Sequence, residues 1–255
     1  MQRLQILPLA LVLSASVLVG CSSRTEPSPD PTLVLLALSA QSDGRVEQST
    51  ELFDEIQRLC GHLPNDERPA SCTEQTILES ASLPQPQDLN AAAAQIRQLA
   101  TAVPASSRGL IARQYQQLIQ LGAANPPADL SLQVASSTNT QDINAIKEAL
   151  NWEYSVIAGL SIASAYTSAD LNSVMNIHRD IAQYLTHLLD SAGIEAPVAS
   201  PGYTFNEVTP TDAASADAFL AEVTSQAPNL WLNAAENAQS SQWYSAILWA
   251  LGTVS

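Results

Sequence analysis

Apolar positions recur at steps of three and four along most of the 255-residue chain, and no stretch alternates with period two, so the pattern predicts helices from end to end. The longest single-faced run is Ile143, Ile146, Leu150, Glu153, Ile157, Leu160 and Ser164, and one charged residue, Glu153, lies on its stripe. A second run, Leu171, Val174, His178, Ile181, Leu185 and Leu188, puts a histidine in the equivalent core position and ends near Gly193. Thr167, Ser168 and Asp170 lie between the runs as a capping arrangement, and so short a turn makes the two helices antiparallel. A Pro-containing crossover over 194–210 then leads to helices predicted at 211–226 and 229–251, divided by Pro228. Phe219, Leu220 and Val223 mark the first, and Trp231, Trp243 and Trp249 the second.

The N-terminal half repeats the period more weakly. Leu33, Leu36, Phe53, Ile56, Leu59 and Leu63 suggest two helices broken at Gly44, followed by helices over 73–82, 89–103 and 107–123. Pro84, Pro86, Pro104, Pro126 and Pro127 fall between or beside these segments. Leu110, Ile111, Gln114, Leu118 and Leu121 line one side of the last, while Arg45, Glu47, Arg58, Arg97 and Arg113 are expected to face solvent. The fold class is therefore all-α: a helical array over 32–123, a linker over 124–138 and a helical bundle over 139–255.

Composition adds an address. Residues 1–20 run from a basic start through an apolar stretch too short, at about 16 residues, for a span of roughly 20. Leu18-Val19-Gly20-Cys21 follows at once and resembles the lipobox of bacterial lipoproteins, which implies acylation of Cys21 and an anchor on the extracytoplasmic face of the cell membrane. Each buried methylene contributes about 0.8 kcal/mol, so two or more chains anchor stably. Residues 21–31, with Pro27, Pro29 and Pro31, read as a disordered tether. Ten basic and 25 acidic residues give a net charge of −15, which repels phosphate and argues against nucleic acid as a partner.

Two cysteines remain, Cys60 and Cys72. Outside the cytoplasm such an isolated pair oxidises, and a disulfide closing the loop with Gly61, Pro64, Asn65 and Pro69 is the expectation. The spacing does not fit a two-residue redox motif, and only His62 lies near for metal ligation.

Glu153 and His178 are the residues whose chemistry departs from their positions. With a turn centred near Ser168, their levels differ by about 7 Å at 1.5 Å per residue, which argues against direct contact. A water, a small kink or Arg179 would close the gap, Gln183 lies nearer the level of Glu153, and Arg179 or a hydroxyl is the partner expected for a buried Glu153. The segment Glu-Ala-Leu-Asn-Trp-Glu-Tyr at 148–154 and the His-Arg-Asp at 178–180 resemble the ferritin-like four-helix domain of uncharacterised actinobacterial lipoproteins, over about residues 139–255. The resemblance implies an antiparallel ferritin-like bundle but no stated activity. Metal-binding members of that fold use carboxylates from two helices and a Glu-x-x-His from each of two others to hold two iron or manganese ions. Carried over here, the metal candidates are Glu153, His178, Glu222 and Glu236, but Met175 precedes His178 and Gln239 follows Glu236 where the motif needs glutamate and histidine. His62 and His187 are expected to be ordinary surface or half-buried residues.

Three functions follow as expectations. The first is a non-catalytic lipoprotein that binds an envelope partner, with Glu153 a structural polar group. The second is a metal-dependent ferritin-like oxidoreductase with a di-iron or di-manganese centre. The third is a small-ligand carrier that uses the aromatic-rich last helix and has a sizeable apolar cavity between helices.

Overall fold

The structure, a computed structural model, describes residues 27–129, 131–132, 139–203, 205 and 209–255. Residues 1–26, with the stretch expected to be an export signal, the lipobox-like Leu18-Val19-Gly20-Cys21 and most of the expected tether, lie outside the described residues. Among those described there are nine α-helices, three short 3-10 turns and no strand, so the fold is all-α.

Helices α1 (Pro31–Ser42) and α2 (Val46–Cys60) form a hairpin around Gly44, whose φ of 74° suits a residue without a Cβ. The Asp30 side chain accepts from the N–H groups of Thr32 and Leu33, and Pro31 needs no donor at the first helical position. Helix α1 thus starts inside the stretch read as tether. Ser71 Oγ donates to the Pro27 carbonyl at 2.6 Å, so the chain is already seated against the fold at residue 27. Cys60 and Cys72 are joined by a disulfide that ties the end of α2 to the turn preceding α3 (Glu74–Ser80). Helices α4 (Leu89–Leu99) and α5 (Arg108–Gln120) follow. Leu121 lies past the end of α5 and is 66% exposed, because the chain turns away at Gly122 instead of continuing the helix.

Four longer elements complete the chain: α6 (Thr140–Ala163), α7 (Asn172–Ser191), α8 (Ala213–Asn237) and α9 (Ser241–Val254). Asn139 caps α6, its side chain accepting from the Gln141 N–H at 2.9 Å. Helix α7 begins at Asn172, past the Thr167-Ser168-Asp170 capping arrangement, because Asp170 accepts from the Asn172 backbone and Thr167 from Ala169 within the turn itself. α6 packs along α7 and α8, α8 along α9, and α7 touches α9. Helix α5 lies against both α8 and α9, so one hydrophobic cluster runs from Leu33 and Phe53 through Tyr115 to Trp231, Trp243 and Leu251.

The break expected at Pro228 is absent. Pro228 sits inside α8, and the chain bends instead at Ala238–Ser240. The buried stripe Phe219, Val223, Ala227, Trp231 and Ala235 keeps its four-residue step across the proline. Burying that stripe outweighs the one hydrogen bond that proline forfeits, a loss of about 3 kcal/mol in a helix interior.

Candidate functional site

A polar layer crosses the C-terminal helices between two apolar cores. The smaller core gathers Val156, Leu160, Ala163, Leu171, Met175, Phe219 and Val223; the larger holds Ile146, Leu150, Ile181, Leu185 and Trp231. Glu153 on α6 and His178 on α7 fall at the level between them. Both are buried, Glu153 at 0% and His178 at 2% exposure. Their side chains meet directly, His178 Nδ1 to Glu153 Oε2 at 2.6 Å.

That contact corrects the sequence expectation. An axial offset of about 7 Å compares backbone levels, whereas a glutamate side chain and an imidazole together reach roughly that far before a hydrogen bond is added. The alternatives point elsewhere: Arg179 is exposed and donates to Asn176 at 3.2 Å, and Gln183 is exposed. One residue along a helix is a rotation of about 100°, enough to turn Arg179 out where His178 turns in.

Burial raises the Glu153 carboxyl above the usual carboxylate range, and the His178 hydrogen bond and charge oppose that shift without cancelling it. Glu153 Oε1 is buried with no hydrogen-bond partner. The Trp152 ring meets the His178 ring edge-on, 5.7 Å between centroids. A carboxylate on Nδ1 fixes the imidazole plane and leaves Nε2 as the ring atom free to work.

The other two metal candidates are not drawn into this layer. Glu236 is on the surface, where it pairs with Arg113 at 3.1 Å and lies over Gly109 of α5. Glu222 is half-buried and accepts from Gln226 one turn along its own helix at 2.6 Å. No group of three or more His, Cys, Asp or Glu side chains among the described residues is placed to hold a metal ion. His62 and His187 are exposed.

A second polar centre escaped the sequence reading. Asp142, 1% exposed, accepts from the backbone N–H groups of Gln239 at 2.9 Å and Ser240 at 2.7 Å, and so holds the α8–α9 bend. Arg108, 5% exposed, donates to the Ala238 carbonyl at 2.7 Å, and its guanidinium lies 5.3 Å from the Tyr244 ring centre. Tyr244 donates its hydroxyl to the Arg108 carbonyl at 3.0 Å. Burial lowers the Arg108 guanidinium and raises the Tyr244 phenol. A signal for Asp142 was present: the buried residues of α6 include Asp142, Ile146, Ala149, Glu153, Val156, Leu160 and Ala163, an unbroken four-three alternation that runs beside buried Ile143 and Leu150. Of the expected stripe, Ile143, Ile146, Leu150, Glu153 and Leu160 are buried, while Ile157 is half-buried and Ser164 exposed, so the buried face is wider than the stripe and extends to Asp142.

No protein-family profile, curated protein or solved structure matches the chain.

Proposed function

We propose that this protein is a membrane-anchored extracytoplasmic lipoprotein that acts by binding rather than by catalysis, with its C-terminal helices in a ferritin-like arrangement. The observation that carries the reading is the Cys60–Cys72 disulfide, which is the chemistry of an oxidising compartment. It agrees with the lipobox-like Leu18-Val19-Gly20-Cys21. Pro27, six residues after Cys21, already accepts a hydrogen bond from Ser71 beside the disulfide. A six-residue segment spans at most about 22 Å, so an acylated Cys21 would keep the body close to the bilayer. Two antiparallel pairs, α6 with α7 and α8 with α9, joined by a longer crossover support the ferritin-like topology. The acidic balance favours a protein or small-molecule partner in the envelope over nucleic acid.

Metabolic labelling with a fatty acid tests the anchor. The full chain is expected to incorporate label and sediment with membranes, and Cys21→Ser to lose both. Label retained in Cys21→Ser would overturn it.

A further inference from the structure

His178 does more than fill the polar layer: beside Val174 and Ile177 of α7 it lines a cavity of about 260 Å³ that opens between α7, α8 and α9. Val223 and Ala227 of α8 and Val254 of α9 supply apolar walls. The hydroxyls at its edge donate their protons one helical turn back, Thr224 to the Leu220 carbonyl, Thr253 to Trp249 and Ser255 to Leu251, so none is left to donate to a ligand. His178 has Nδ1 on Glu153, and its Nε2 makes no hydrogen bond among the described residues. The cavity therefore has largely apolar walls, with His178 the ring whose orientation the Glu153 bond fixes, the composition of a small-molecule site.

Size and chemistry narrow the occupant. An apolar cavity of about 150 Å³ holds benzene, and drug-sized sites start near 300 Å³, so this one suits a single ring or a chain of similar bulk. The polar end must match the imidazole in either arrangement of the shared proton. With Glu153 ionised, Nδ1 holds the proton and Nε2 accepts; with Glu153 protonated towards Nδ1, Nε2 donates. A hydroxyl pairs with both, whereas a carbonyl can only accept and an ammonium only donate. An ionised ligand would also lose its hydration among valine and isoleucine side chains.

We infer that the cavity beside His178 is a binding site for a small apolar molecule bearing one hydroxyl group, of phenol or cresol size, with His178 Nε2 on the hydroxyl and Glu153 as a positioning residue. This deepens the binding half of the proposed function and does not depend on the anchor. Loss of labelling at Cys21 and loss of ligand binding are separate results.

The test titrates p-cresol and toluene into the purified full chain, with calorimetry for affinity and the ¹⁵N shifts of the His178 ring as the local readout. Toluene is the more costly of the two to hydrate, so an apolar cavity alone prefers it. The site requires the opposite order, p-cresol binding at least about tenfold tighter, the equivalent of one net hydrogen bond, with the Nε2 resonance shifting on saturation. Thr224→Trp, at an exposed position on the rim, closes the cavity and is expected to abolish that binding at an unchanged melting temperature. Toluene binding as tightly as p-cresol, no saturable binding of either, or a His178 ring that does not respond would each overturn the assignment. These readouts on the unaltered chain decide the matter even if Thr224→Trp fails to fold.

Discussion

Glu153 and His178 come from adjacent antiparallel helices and share a 2.6 Å hydrogen bond at the level where two apolar cores meet, with the second carboxylate oxygen of Glu153 unpaired. A buried pair of this kind is weak as a source of stability, because desolvation of both groups offsets most of their attraction. Its removal one side at a time is a different matter.

Glu153→Leu leaves the buried His178 Nδ1 without a partner and is expected to destabilise the fold by about 1 to 3 kcal/mol. Adding His178→Leu removes the orphan, and the double variant should recover most or all of the loss, since apolar replacements of buried pairs are neutral or stabilising. Chemical denaturation of the two single variants and the double variant closes the cycle. A double variant whose loss equals the sum of the two singles would mean the residues do not interact.

The pH dependence has a definite sign. Burial raises the folded-state value of Glu153 above the unfolded one, so the native chain takes up the proton more readily than the unfolded chain. Its contribution to stability is fully present below the ordinary carboxylate range, near pH 4, and is lost as the pH rises through the raised value. Relative to Glu153→Gln, which does not titrate, the wild type should be most stable in acid and lose that advantage towards neutrality. Glu55 has the opposite sign: burial would raise it, but hydrogen bonds from Arg58 and Ser107 with the Arg58 charge lower it, so its contribution is lost as the pH falls. Urea midpoints of wild type and Glu153→Gln from about pH 4 to 7 separate the two. A difference that stays flat or grows with pH contradicts the assignment.

At the α8–α9 bend, Asp142→Ala removes the acceptor of two backbone N–H groups, and a loss of about 1 to 3 kcal/mol is expected. Asp142→Asn keeps one oxygen and should lose less. Trp231 and Trp243, whose ring centres are 6.1 Å apart on the two sides of the bend, report the change by fluorescence. Equal stability of the two variants would place the restraint elsewhere.

Gly159 lets α6 approach α8, because a Cβ built there would lie 2.1 Å from the Phe219 ring. Gly159→Ala forces Phe219 out of the smaller core and should cost about 1 to 3 kcal/mol, although alanine favours the helix itself. Pairing it with Phe219→Leu is expected to restore part of the stability. A melting temperature raised by Gly159→Ala alone would show that propensity wins over packing.

Much of the chain was legible from local pattern. The all-helical class and the break between two helices at Gly44 follow from period and glycine, which act within a few residues. Pro228 misled because a proline's local penalty is set against a buried stripe that continues on both sides of it. The Glu153–His178 contact was missed because helix registers predict backbone levels and not side-chain reach.

Residue types and spacing by themselves determined that the protein is helical, that Cys60 and Cys72 form a natural pair, and that Glu153 and His178 lie on inward faces. Only the tertiary structure decided that those two meet, that Glu222 and Glu236 do not join them, and that Asp142 and Arg108 hold the bend between α8 and α9. The division has a physical cause: periodicity records which side of a helix is buried. Partners are chosen by rotations and offsets of a fraction of a helical turn, which the packing of all the helices sets together.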